Sequence, residues 1–124
     1  MTITLRKIDH VQVCIPPGSE AEARDFYGKL LGFTEVAKPE SLMSHGGMWY
    51  QSGEVELHIG LDKVLERTKG HPAFEVSGLA EIRRYLESRG VKLKEEPLIP
   101  GRERFSFKDP WDNKIEFLEY VQTT

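Results

Sequence analysis

Apolar and polar residues alternate through RKIDHVQVCI, so Val11, Val13 and Ile15 share one face of an extended segment. His10, Gln12 and Cys14 share the other. PPGS breaks that pattern, and the period then changes. In SEAEARDFYGKLLGF, the residues Ala23, Phe26, Tyr27, Leu30 and Leu31 recur at helical spacing. Ser19 and Glu22 are placed as a capping box, and Gly32 ends the helix. SLMSHGGMWYQSGEVELHIG predicts strands with a hairpin turn at Ser52-Gly53, and GHPAFEVSG another strand. SGLAEIRRYLESRGV predicts a second helix closed by Gly90. KLKEEPLI, RERFSFKDP and NKIEFLEYV supply three more strands, the last two joined by the turn DPWDN.

The order of elements repeats. Each half runs strand, helix ending in glycine, then three extended segments, with module one over about 5–62 and module two over about 69–121 of a single domain. The polar landmarks keep step: His10 to Gly32 spans 22 residues and His71 to Gly90 spans 19. His10 to His58 spans 48 and His71 to Glu116 spans 45, a three-residue difference that PPGS can absorb. The chain therefore reads as a duplicated strand-helix-three-strand unit, an α+β fold.

Face assignments follow strand by strand. Val55, Leu57 and Ile59 leave Glu56 and His58 on the opposite side; Phe74 and Val76 leave His71, Ala73 and Glu75. Ile115 and Phe117 leave Glu116 and Leu118. Each helix buries one stripe and needs the apolar face of its sheet. The polar faces then belong to a common concave surface carrying His10, His58, His71 and Glu116. Pairing across Ser52-Gly53 sets Trp49 opposite Glu56, on the same side. Phe105 and Phe107 form the packed face of their strand, which leaves Arg102, Arg104 and Ser106 facing the concave side. Glu119 is a rival carboxylate, but it shares the face of Ile115 and Phe117. His45, in the SHGG loop, is read as a surface residue.

Composition narrows the function classes. The 124 residues carry 17 basic and 20 acidic side chains, a net charge of −3, with 39% hydrophobic residues, enough for a real core. No basic patch points to nucleic acid, and no segment is long and apolar enough to span a bilayer or serve as a signal peptide. One cysteine rules out an internal disulfide and suits a cytoplasmic protein; Cys14 reads as a small core residue.

The stretches DHVQV, ARDFYGKLLGF, LHIG, HPAFEV and KDPWDNKIEFLE resemble the vicinal oxygen chelate superfamily, which includes glyoxalase I, methylmalonyl-CoA epimerase, fosfomycin-resistance proteins, extradiol dioxygenases and bleomycin-binding proteins. The last stretch is similar to the family's Asp-Pro-x-Gly-Asn-x-Ile-Glu-Leu ending, with Asp112 where glycine is usual. The resemblance implies two βαβββ modules in an open, cup-shaped mixed β-barrel, a helix packed outside each. It implies a divalent ion held by His10, His71 and Glu116, with His58 at the more variable second position. It also implies a homodimer, in which one cup can draw ligands from two chains.

Imidazoles with one carboxylate suit Zn, Fe, Mn, Co or Ni and leave positions open for a bidentate oxygen substrate. Glu116 and Glu56 are the candidate catalytic carboxylates; Arg104, Arg102, Trp49, Gln12 and Ser106 are candidate substrate contacts. Glyoxalase I has a ligating glutamate where His58 stands, and Glu56 is a distant substitute. Many extradiol dioxygenases have a tyrosine where Ser106 stands, and fosfomycin enzymes commonly a threonine at Gln12. The expectation is a metal-dependent lyase or isomerase, or a dioxygenase-like enzyme, acting on a small vicinal-oxygen substrate. The alternative is a protein that binds and sequesters an antibiotic-type molecule without catalysis. Two inward arginines suggest an anionic substrate, against the plainer reading of a solvated rim.

Overall fold

A strand followed by a helix can pair in parallel with a later strand only because the helix carries the chain back along the sheet. That unit occurs twice. The computed structural model describes residues 1–63 and 69–121, and the chain divides into two units, Met1–Glu66 and Arg67–Thr124.

In the N-terminal unit, β1 (Val11–Ile15) is followed by helix α1, which starts as an α-helix over Glu20–Ala23 and continues as a π-helix over Arg24–Leu30. Then come β2 (Thr34–Val36), a 3₁₀ segment Glu40–His45, β3 (Met48–Ser52) and β4 (Val55–Leu61). The strand order is β1-β4-β3-β2, with β1 parallel to β4 and the other pairs antiparallel. Val13, Ile15, Met48, Tyr50, Leu57 and Ile59 are buried, as are Ala23, Phe26 and Tyr27 of α1.

In the C-terminal unit, β5 (Ala73–Glu75), α2 (Leu79–Ser88), β6 (Lys94–Glu95), β7 (Arg102–Lys108) and β8 (Lys114–Tyr120) repeat the plan in the order β5-β8-β7-β6. Phe105, Phe107, Ile115 and Phe117 form the buried apolar face, and Leu79 and Leu86 of α2 are buried with them. The fold is thus α+β, with two open four-stranded mixed sheets.

Register makes the duplication concrete. Gln12 pairs with His58 and Ala73 with Glu116, so His10 and His71 each stand two residues before the equivalent position. Across the antiparallel pairs, Trp49 faces His58 as Ser106 faces Glu116.

Several local expectations need correction. Ser19 makes no side-chain cap; only its carbonyl takes part, accepting from Ala23 N–H at 3.0 Å. SLMSH is a 3₁₀ segment rather than strand, because Pro39 and the Gly46-Gly47 pair bracket it with turns. The hairpin turns on Gly53-Glu54, one residue later than read, since Gly53 takes the positive φ of 56° and Ser52 pairs with Val55. Trp49 therefore faces His58 and not Glu56. A two-residue slip preserves the face, so Trp49 stays on the polar side. Cys14 is half-buried on that same side, not in the core, because β1 alternates strictly.

Candidate functional site

The polar face of the N-terminal sheet is organised by stacked rings. Trp49 and His58 are cross-strand neighbours whose rings lie 3.8 Å apart and 3° from parallel. The His10 ring stacks on His58 at 4.0 Å and 16°. His58 is 6% exposed, and its Nε2–H donates to Glu56 Oε1 at 2.9 Å. His10 Nδ1–H donates to Asp9 Oδ2 at 2.8 Å, which is the main reason the Asp9 carboxyl lies below its ordinary value. These residues line a cleft of about 700 Å³ together with Gln12, Lys38 and His45. His45 is exposed, as read, yet it borders the cleft. Gly60 leaves room for the Gln12 amide: a Cβ there would lie 2.7 Å from Nε2.

The C-terminal unit gathers a second group. His71 Nδ1 lies 2.9 Å from the Lys69 carbonyl oxygen, and its Nε2 3.3 Å from Glu116 Oε1. Arg104 Nη1 donates to that same oxygen at 3.0 Å, while Arg104 Nε and Nη2 both donate to the Pro97 carbonyl, at 3.2 and 2.8 Å. Glu116 is 4% exposed. The Arg104 edge that would grip an oxyanion is thus turned onto backbone. Arg102 lies over the Tyr120 ring at 4.8 Å, and its Nε is buried with no hydrogen-bond partner among the described residues. Ser106 donates to Glu96 at 2.6 Å, beside Lys114 at 3.0 Å. Those contacts, Ser106 first and then Lys114, hold the Glu96 carboxyl at about 2. Glu119 faces the other way, accepting from Gly78 and Leu79 N–H at 2.9 and 3.1 Å and so capping α2.

Tautomer logic separates the histidines. A carbonyl only accepts, so His71 Nδ1 carries the proton, and in a neutral ring Nε2 is a bare lone pair aimed at a carboxylate oxygen. Either a proton on Nε2 or a bound cation satisfies that 3.3 Å approach. Adjacent donors of a tetrahedral ion with bonds of about 2.0–2.1 Å lie about 3.3–3.4 Å apart. His10 has the same arrangement, Nδ1 held by an acceptor and Nε2 left over. That is the outer-shell pattern of ligating imidazoles. His58 is reversed: its Nε2 is committed to Glu56, and its ring is sandwiched. No group of three or more His, Cys, Asp or Glu side chains that could hold a metal ion occurs among the described residues. Within each unit the candidate donors come in pairs. Sequence reading missed Asp9, Glu96 and Lys114; only Asp9, adjacent to His10, left a readable signal.

The Glyoxalase/Bleomycin resistance protein/Dioxygenase superfamily model matches residues 7–117. The chain belongs to that superfamily. A Bacillus anthracis protein assigned to the glyoxalase family is 40% identical, with a TM-score of 0.91 over 98% of this chain and 100% of that one. A glyoxalase/dioxygenase from Nostoc punctiforme shares the fold at 16% identity and a TM-score of 0.78, over 98% and 99% of the two chains. The fosfomycin resistance protein FosX from Listeria monocytogenes, crystallised with Mn(II) and sulfate, shares it at 18% and 0.71, over 95% and 93%. Among curated proteins none matches. No helix among the described residues of this superfamily member is long and apolar enough to cross a membrane.

Proposed function

We propose that this superfamily member is a divalent-metal-dependent enzyme, a lyase or isomerase of the cytosol acting on a small vicinal-oxygen substrate. The observation that carries the reading is the His71–Glu116 pair, an imidazole nitrogen and a carboxylate oxygen 3.3 Å apart and buried on the carboxylate side. His71 and Glu116 are the ligands offered by the C-terminal unit, and His10 is the donor of the same kind in the N-terminal unit. His58 has only Nδ1 to offer. The ion supplies Lewis-acid polarisation of a substrate oxygen. Glu56 is the group assigned to accept and return a proton, a reading supported by its contact with His58 Nε2 at 2.9 Å. Trp49 and Gln12 line the cleft of the N-terminal unit. Arg104 and Lys114 neutralise Glu116 and Glu96, so a bound divalent ion would leave the group net positive and favour an anionic substrate. Because the Arg104 fork is bonded to Pro97, that preference works through charge and not through bidentate grip. Non-catalytic sequestration is the second reading, favoured by the three-ring stack bordering the 700 Å³ cleft, a surface suited to a flat ligand.

Elemental analysis of tag-free protein purified without chelators, followed by calorimetric titration with Mn²⁺ and Zn²⁺, tests the metal. Wild type should bind one ion per site, and His71→Ala and Glu116→Gln should each lose more than about a hundredfold in affinity, beyond the usual effect of an outer-shell change. The melting temperature of His71→Ala should stay near wild type, while Glu116→Gln, which leaves Arg104 without its buried partner, should melt lower. Absence of metal binding by the wild type would leave sequestration as the standing reading.

A further inference from the structure

Resting on the assignment of His71 and Glu116 as ligands, we propose that Arg104 is a resident counter-cation of Glu116 that competes with the divalent ion and lowers its affinity. The oxygen that faces His71 Nε2 is the one that accepts from Arg104 Nη1. Arg104 is held in place, because its Nε and Nη2 both donate to the Pro97 carbonyl and its side chain is only 15% exposed. The Glu116 side chain is 6% exposed, so little water screens the pair. A guanidinium stays charged at every working pH. An ion taking Oε1 must therefore either dislodge Nη1 or sit beside a fixed positive charge. Both weaken binding.

The opposite role is also physically defined. If Arg104 merely orients Glu116 for the ion, removing it would loosen the ligand and reduce affinity, as loss of an outer-shell partner usually does. The two roles differ in sign.

The full-length protein, stripped by chelator and dialysed, is titrated with Mn²⁺ and separately with Zn²⁺ by calorimetry. Wild type is compared with Arg104→Gln and with Arg104→Met, which keeps most of the side-chain volume if the amide variant folds poorly. Thermal melts select the folded variant. The expected result is an affinity at least about tenfold higher than wild type, within the range outer-shell residues command. Glu116→Gln added to the same variant should abolish the gain. A wild type that binds nothing, with variants that bind, supports competition by Arg104 but overturns the metal-dependent reading of the wild-type protein. Equal or weaker binding by the Arg104 variants, with wild-type binding intact, overturns this inference and leaves the metal assignment standing. No binding by any of the proteins overturns both.

Discussion

The family's terminal motif owes its sequence to one buried carboxylate. Asp109, 3% exposed, accepts from Trp111 N–H at 2.9 Å, Asn113 N–H at 2.8 Å and Asn113 Nδ2 at 2.7 Å. Asp112 sits at φ 67°, the left-handed conformation that explains the glycine usual there; aspartate tolerates it better than most residues. Asp109→Ala leaves those donors unsatisfied and is expected to cost about 2–4 kcal/mol in urea denaturation. A second carboxylate governs acid stability. Glu96 falls from 4.5 to about 2 through Ser106 and Lys114. Because the folded value is the lower one, its contribution is complete above pH 4.5 and is lost as the pH drops toward about 2. Glu96→Gln should lower the melting temperature above pH 4.5, where that contribution is complete, and flatten its fall across the window. A wild-type slope in the variant would show that other groups govern the acid limb. At this scale the ligand candidates were legible because strand alternation assigns faces. The proton positions on His10, His58 and His71 were not, since each depends on a partner the alternation does not specify.

At the scale of elements, the glycine pair before β3 is the tightest point of the N-terminal sheet. Gly47 has φ 76°, and a Cβ there would come 2.1 Å from the Ile59 carbonyl oxygen, a backbone atom that cannot swing aside. Gly47→Ala is expected to destabilise by more than about 2 kcal/mol, checked by the denaturation midpoint. Stability within 0.5 kcal/mol or so of wild type would mean that the loop relaxes freely. Strands β1, β3, β4, β5, β7 and β8 and the second helix followed from periodicity, whereas β2 was not read and KLKEEPLI is strand only over Lys94–Glu95. The π-helical stretch of α1 did not, since periods of 3.6 and of about 4.4 residues differ too little over seven residues to separate. The cap of α2 was equally hidden: Glu119 lies 41 residues from Gly78 in sequence.

Across the whole molecule, one plan is used twice, and each sheet ends in two edge strands, β1 and β2 in one and β5 and β6 in the other. Open edges favour association with a second copy. A homodimer is therefore proposed, and sedimentation at micromolar concentration should give twice the 14.2 kDa of the chain. A monomer throughout that range would remove the two-chain version of the metal site. The divalent ion and the dimer are linked if ligands come from two copies: chelation would then shift the equilibrium toward monomer.

The alternation of Val11, Val13 and Ile15 against His10 and Gln12, and of Ile115 and Phe117 against Glu116, determined β1 and β8, their faces and the repeat from the sequence alone. That is possible because burial on one face leaves a period-two signature in any chain that folds this way. What only tertiary structure decided are the interactions between residues far apart in sequence. Arg104 turned its fork to Pro97 and one nitrogen to Glu116, Ser106 went to Glu96, and Glu119 to the start of α2. Each is a choice among several partners of suitable charge. Local pattern carries no distance between them, so only packing could make that choice.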